Sequence, residues 1–184
     1  VTYRLMRLFE PELQAQGLWP LFTEVEMPLV PVLVQMERDG VALDTDALKA
    51  MSRDLFQRIG GLEEQIYQAV GHRFNINSTQ QLAGVLFEEL KLDKSRRTKT
   101  GYSTDSGVLE ELKGKHPVVD LILEHRQLVK LKSTYVDALP LLVDAHAGRV
   151  HTDFNQAVTS TGRLSSSNPN LQNIPIRTEL GQQV

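Results

Sequence analysis

The chain has 184 residues, of which 41% are hydrophobic and 23% charged, and this composition is typical of a folded globular protein. No stretch approaches the roughly 18 consecutive apolar residues of a membrane span, and the absence of cysteine excludes disulfides and argues against a structural zinc site, which together predict a cytoplasmic protein. The net charge of −3 divides into −6 over residues 1–90 and +3 over residues 91–184, so the second half is the better candidate for a polyanionic partner.

The first forty residues predict two helices. Residues 1–20 have a helical pattern and begin without methionine, so we expect the chain to be a piece of a longer protein. A second helix is predicted from about Pro28 to Arg38, because proline is tolerated in a first helical turn. Gly40 is expected to end this helix.

A long helix is predicted between Asp44 and Gly71. Asp44 is a good N-cap, apolar residues then recur at spacings of three and four, and Gly71 can end the helix. Ser78 and Gln81 next have the spacing of a capping box, which predicts the start of a helix that extends to Leu90.

The second half of the chain begins with a break in this helical pattern, over residues 91–104. Thr104 or Ser106 is expected to cap a short helix that follows the break. Pro117 is at the first position of another predicted long helix, which Pro140 should kink or interrupt.

The last part of the chain predicts a small β-hairpin. Residues 150–154 and 157–161 carry β-branched side chains at alternating positions, and turn residues follow each segment. The sequence beyond Leu164 is too polar and too rich in proline to predict a regular element. The predicted fold class is therefore mainly α, with an antiparallel body of long helices over residues 28–146 and a small hairpin after it.

The first candidate binding site is a basic cluster in the break. Its hydroxyl groups and its cations are both suited to phosphate oxygens, which accept hydrogen bonds from such mixtures. The alternative is a solvated loop between helices, which is the usual role of a charge run. The cluster consists of Lys91, Lys94, Arg96, Arg97 and Lys99, with the hydroxyl residues Thr98, Thr100, Ser103 and Thr104 between or after them.

The second candidate lies on the long helix after Pro117. Arg126 and Lys130 are four residues apart and share a helix face, whereas Lys132 points elsewhere; Ser133 follows. These side chains could bind phosphates, or they could be ordinary charges on a solvent-facing surface, and the residues alone leave both interpretations open.

The third candidate is the polar run from Thr161 to Arg177, TGRLSSSNPNLQNIPIR. It contains two arginines, three asparagines, one glutamine and four serines or threonines. Asparagine and glutamine present a donor and an acceptor together, and arginine presents a rigid fork of donors. Such residues can contact base edges and phosphates, although a polar loop with asparagine and proline as turn formers is the simpler alternative.

The polar run closely resembles the motif that precedes the first catalytic carboxylate motif in family A DNA polymerases of the bacterial polymerase I type. Three further segments resemble the same family in the same order: Met27–Leu33 followed by Met36–Val41, Phe74–Leu82, and Lys130–Tyr135. The resemblance therefore covers nearly the whole chain.

This resemblance implies three parts. Residues 1–26 would be the C-terminal end of a 3′–5′ exonuclease-like domain, residues 27–146 a helical thumb domain, and residues 147–184 the start of an incomplete palm domain that contains the hairpin. The tip of the thumb, residues 91–104, would hold the minor-groove side of the duplex.

The resemblance also implies DNA contacts. Arg163 would reach the minor-groove edge of the primer terminus, and the residues that follow would contact bases or backbone near that end. The implied DNA-binding residues are Arg96, Arg97, Thr98, Lys99, Ser103, Thr104, Arg126, Lys130, Lys132, Ser133, Thr161, Arg163, Asn170, Gln172, Asn173 and Arg177.

The implied parent enzyme extends DNA primers by template-directed nucleotidyl transfer in replication and repair, using Mg²⁺ and dNTPs on primer–template DNA. The family's two metal-bound aspartate motifs do not occur in the sequence, so we predict no catalytic residue and no metal ligand here. We expect the chain by itself to be inactive and monomeric. The alternatives are a stand-alone DNA-binding module without catalysis and a helical protein–protein scaffold.

Overall fold

The computed structural model describes residues 1–93, 97–98, 101–176 and 178–184. The chain forms two compact units: Val1–Leu43 with Leu141–Ile174, and Asp44–Pro140 with Pro175–Val184. Within the described residues, no helix combines the length and the apolar character needed to span a membrane.

Helices dominate the described chain, which confirms the predicted mainly α class. The α-helices are α1 (Thr2–Ala15), α2 (Trp19–Leu21), α3 (Met27–Asp39), α4 (Thr45–Val70), α5 (Thr79–Ala83), α6 (Ser106–Glu111) and α7 (Pro117–Leu131). Wider π-helical turns extend α2, α5 and α7, at Phe22–Glu26, Gly84–Glu89 and Lys132–Val136, and 3₁₀ turns occur at Leu139–Leu142 and Gly181–Gln183.

The strands are short and form antiparallel pairs. Strand β1 (Val41–Ala42) pairs with β4 (Arg149–Val150), β2 (Arg97–Thr98) with β3 (Gly101–Tyr102), and β5 (Asp153–Asn155) with β6 (Ser165–Ser167).

Helices α3 and α4 have the predicted ends. The backbone of Gly40 has φ +61° and ψ −174°, a region essentially restricted to glycine, and a Cβ there would lie 2.8 Å from the Val150 carbonyl oxygen. At the start of α4, the Asp44 carboxylate accepts a hydrogen bond from the Ala47 amide at 2.9 Å. Gly71 then ends α4 in the left-handed region, with φ +92°.

The core of the helical unit is apolar. Helices α4 and α7 pack against each other, and the buried cluster includes Ile66, Leu82, Leu86, Phe87, Leu109, Val118, Val119 and Ile122. The fully buried His125 is an exception: its Nε2 lies 3.2 Å from Glu63 Oε1, whereas its Nδ1 has no hydrogen-bond partner among the described residues.

Two of the predicted helix caps differ from those in the structure. Ser78 Oγ accepts from the Gln81 amide at 3.4 Å, but the Gln81 side chain accepts from the Asn75 amide at 2.8 Å and so does not close the box on Ser78. Helix α6 is capped by Asp105, whose Oδ1 accepts from the Val108 amide at 2.9 Å. The prediction of Thr104 or Ser106 was wrong because a carboxylate is available at the position between them.

The predicted partner strand of the C-terminal hairpin was also wrong. Residues 157–161 form bends and a turn, and β5 pairs instead with β6, Ser165–Ser167. The ladder between strands uses backbone groups, so three serines can form it without apolar side chains. Val150 pairs with Val41 in a separate sheet.

Candidate nucleic-acid interface

Of the basic cluster, Arg97 and Thr98 form strand β2, which pairs with β3. Arg97 pairs with Tyr102 and Thr98 with Gly101 along the backbone. Arg96 and Lys99 lie outside the described residues, as do the side chains of Arg97 and Thr98.

The base of this hairpin is closely packed. The Tyr102 ring lies 5.3 Å from the ring of the buried Phe87. Ser103 Oγ donates to Asp105 Oδ2 at 2.7 Å, and Thr104 is buried. The Ser103 hydroxyl proton is therefore used within the protein, and the Thr104 hydroxyl is not on the surface, although both were predicted to contact DNA.

Arg126 on α7 points at the base of the hairpin. Its Nη1 donates to the Thr104 carbonyl oxygen, and its Nη2 lies 3.3 Å from Thr104 Oγ1. Burial lowers the pKa of the guanidinium, an effect that the nearby Asp105 carboxylate opposes. Arg126 is thus half-buried against protein oxygens.

Lys130 and Lys132 differ in their surroundings. Lys130 is exposed, and no ion pair or hydrogen bond involves its side chain within the described part of the chain. Lys132 Nζ, by contrast, lies 2.7 Å from Asp137 Oδ2 and 3.0 Å from Ser52 Oγ. Of these two lysines, Lys130 is therefore the one whose ammonium group has no partner among the described residues.

The Lys132 contacts close a triangle, because Ser52 Oγ also donates to Asp137 Oδ1 at 2.7 Å. Partial burial acts to raise the pKa of Asp137, but the hydrogen bonds from Lys132 and Ser52 outweigh it, so the pKa lies below its ordinary value of 3.8. Ser133 Oγ donates to the Val129 carbonyl oxygen at 2.8 Å, within its own helix.

The polar run is held in place by hydroxyl groups. Thr152 Oγ1, which is buried, lies 2.7 Å from the Pro169 carbonyl oxygen and 3.0 Å from that of Ser167. The Ser166 hydroxyl, also buried, accepts from the Leu171 amide at 3.0 Å. These bonds fix the backbone on both sides of Asn168, whose φ is +58°.

Two of the side chains predicted to contact DNA in this run form hydrogen bonds within the protein. Asn170 Oδ1 accepts from the Gln172 amide at 3.0 Å, and Gln172 Nε2 donates to the Leu164 carbonyl oxygen at 2.9 Å. Thr161 and Asn173 are exposed. Arg177 lies outside the described residues.

Arg163 is an exposed residue of the run. Its carbonyl oxygen accepts from Thr159 Oγ1, which holds the turn that carries it. Its guanidinium has no protein partner within the ranges that the structure describes. The run therefore combines a backbone held by internal hydrogen bonds with a free, rigid fork of donors.

Sequence reasoning missed the residues that organise these sites. Thr152 and Ser166 fix the polar run, and Ser52 and Asp137 hold Lys132. Thr152 follows the buried Val150 at an alternating position, which could have indicated an inward-facing hydroxyl. Ser52 is separated from Lys132 by 80 residues, and no sequence signal links the two.

A metal centre requires a group of side chains that can hold the ion. Among residues 1–93, 97–98, 101–176 and 178–184, no group of three or more His, Asp or Glu side chains could hold an ion. The described residues therefore do not fit the metal centre that the resemblance implies, and no chemical step can be assigned to a metal bound by them.

Comparison with known proteins gives a consistent result. The family model of DNA polymerase family A matches residues 45–184. DNA polymerase I of Synechocystis sp. is 54% identical over 186 residues, covering 100% of this chain and 19% of the relative. The thermostable DNA polymerase I of Thermus filiformis is 54% identical over 186 residues, covering 100% of this chain and 22% of the relative.

A solved structure is also similar: the POL domain of Pol1 from M. smegmatis in complex with DNA primer-template and dNTP. It superposes with a TM-score of 0.82 at 41% identity and covers 95% of this chain and 31% of that chain. The chain spans about a fifth of the length of the curated relatives it matches.

Proposed function

The chain belongs to DNA polymerase family A, and we propose that it is the part of a DNA-directed DNA polymerase that holds primer–template DNA. The whole enzyme would extend primers by template-directed nucleotidyl transfer in replication and repair. In this proposal residues 1–26 end an exonuclease-like domain, residues 27–146 form the thumb, and residues 147–184 begin the palm.

The observation that carries the proposal is the state of Arg163. A fixed turn presents its guanidinium to solvent with no protein partner in the described structure, while Thr152 and Ser166 hold the neighbouring backbone. An unpaired fork of donors suits minor-groove acceptors, which are similar in position for all correct base pairs.

The remaining contacts fall into two classes. Arg96, Arg97, Lys99 and Lys130 would contact phosphates without regard to sequence. Thr161, Asn170, Gln172, Asn173 and Arg177 would contact bases or backbone at the primer end with Arg163. Both modes ignore sequence, which suits a polymerase.

Catalysis would belong to the enzyme as a whole. Divalent metal dependence, with Mg²⁺ as the ion, and the binding of dNTPs are proposed for the complete polymerase. Because the described residues offer no metal cluster, we expect this chain alone to bind DNA without incorporating nucleotides. A monomeric state and a cytoplasmic location complete the proposal.

The test compares Arg163→Ala with Arg7→Ala, which removes another exposed arginine, this one on α1. Duplex affinity is measured by fluorescence anisotropy with a recessed primer end that is either matched or mismatched. We expect Arg163→Ala to weaken binding to the matched end by roughly tenfold, about 1.4 kcal/mol, and to abolish the preference for it. Arg7→Ala should change neither.

Two results would contradict the proposal. One is the absence of duplex binding by the unaltered chain at about 50 mM salt, where phosphate contacts are strong; this would favour a helical scaffold. The other is an equal effect of Arg163→Ala and Arg7→Ala, which would mean that Arg163 contributes only its charge.

A further inference from the structure

Arg126 and Lys130 occupy equivalent positions one helical turn apart, yet their surroundings differ. Lys130 is exposed and has no side-chain partner among the described residues, whereas the Arg126 guanidinium binds both the carbonyl oxygen and the hydroxyl of Thr104. A fork that is occupied by two protein oxygens has fewer donors left for a phosphate.

Thr104 lies in the junction between strand β3 and helix α6. It follows Tyr102, the last residue of β3, by two positions and immediately precedes Asp105, the N-cap of α6. The contact from Arg126 therefore attaches this junction to α7. Because this junction directly follows β3, the contact also constrains the position of the β2–β3 strand pair.

Two further interactions reinforce the same junction. The Tyr102 ring packs on Phe87, and the Ser103 hydroxyl bonds to the Asp105 carboxylate. The ring contact is apolar and the carboxylate contact is local in sequence. Arg126 alone among these groups reaches the junction from α7.

We propose that Arg126 is a positioning residue, which fixes the β2–β3 hairpin relative to α7, and that Lys130 makes the direct phosphate contact from this helix. The inference rests on the proposed function and refines it. Arg126 and Lys130 share a helix face in the sequence pattern, but in this proposal Arg126 acts through the protein and Lys130 contacts DNA.

The side-chain chemistry makes the two roles separable. Lysine retains the charge of arginine but has a single ammonium group, so it does not reproduce a two-pronged contact. If Arg126 acted directly on a phosphate as a charge, Arg126→Lys would keep most of its effect. If Arg126 positions the hairpin, Arg126→Lys should behave like Arg126→Gln.

The first experiment is a set of double-mutant cycles on duplex affinity. Two substitutions of Arg126, to Lys and to Gln, are compared with the matched controls Lys130→Arg and Lys130→Gln. Each is measured in the unaltered chain and in a variant with alanine at Arg96, Arg97 and Lys99. Salt is varied from about 50 to 200 mM, because each phosphate contact adds nearly one unit to the salt slope.

We expect both Arg126 variants to weaken binding by roughly five- to tenfold in the unaltered chain and by less than about twofold in the variant with alanine at the three cations. Lys130→Arg should resemble the unaltered chain. Lys130→Gln should lose the same factor in both backgrounds, with a salt slope lower by about one. Near-normal binding by Arg126→Lys, or an equal Arg126→Gln loss in both backgrounds, would overturn the proposal.

The second experiment requires no DNA. Hydrogen exchange is followed at the amides of Asp105 and Val108, which lie at the junction. Arg126→Gln should accelerate their exchange by roughly tenfold, and Lys130→Gln should leave it unchanged. Unchanged exchange in Arg126→Gln would refute the positioning role, whereas absent duplex binding by the unaltered chain would refute the proposed function, so the two failures are distinguishable.

Discussion

In the helical segment Asp44–Pro140 the residues removed from solvent are almost all apolar, whereas in segment 149–174 they are Val150, Thr152 and Ser166. Apolar burial is non-directional and roughly proportional to area, so many side-chain arrangements satisfy it. A buried hydroxyl must meet a partner at a defined distance and angle. The backbone of the polar run is therefore fixed by a few specific bonds.

This contrast predicts a large loss of stability when a core side chain of the helical segment is truncated. Phe87 is 1% exposed and Phe56 is 71% exposed, so Phe87→Ala should cost about 3–5 kcal/mol of unfolding free energy and Phe56→Ala less than about 0.5 kcal/mol. Urea denaturation followed by circular dichroism measures both. Similar losses for the two variants would show that burial does not dominate this segment.

In the polar run the corresponding test removes one hydroxyl without changing side-chain volume. Thr152→Val leaves the carbonyl oxygens of Ser167 and Pro169 without this donor, at a local cost of about 1–3 kcal/mol. Hydrogen exchange at the Leu171 amide, which donates to Ser166 Oγ, should become faster. Thr161→Val alters an exposed hydroxyl and is the control; an equal response to both changes would remove the distinction between the two segments.

The same contrast explains how much of the fold could be predicted. Apolar spacing and end signals identified α3, α4 and the start of α7, because Gly40, Asp44 and Pro117 act through local backbone chemistry. Strand β6 was missed because Ser165–Ser167 carries no apolar alternation. The π-helical turn at Lys132–Val136 was missed because its apolar residues also fit an ordinary helix.

The candidate site was predictable as a set of side chains but not as a set of contacts. The sequence indicated Arg126, Lys132 and Arg163 as candidate DNA contacts but did not indicate their partners within the protein. Their partners are Thr104 for Arg126 and Asp137 with Ser52 for Lys132, while Arg163 has none in the described structure. Ser52 and Lys132 meet only through packing of α4 against the turn that follows α7, which a single sequence does not encode as a pattern.

The smallest expected effect concerns the polar triangle at the edge of the helical segment. Because the folded-state pKa of Asp137 lies below its ordinary value of 3.8, the ionised carboxylate stabilises the fold above that pH. The contribution is lost as the pH falls through the lower, folded-state pKa. Asp137→Asn should therefore reduce stability at pH 7 by about 0.5–1 kcal/mol, as for other partly exposed pairs.

The pH dependence distinguishes this role from a simple packing defect. The difference in melting temperature between the unaltered chain and Asp137→Asn should shrink toward zero as the pH is lowered from 7 through 4 toward 2, since both then carry a neutral side chain at position 137. Asp46→Asn, which affects an exposed pair with Lys49, is the matched control and should have little effect at any pH. If the difference in melting temperature persisted undiminished at the lowest pH, the Asp137 contribution would come from packing and not from its charge. The helical segment would then depend on packing at this position as well.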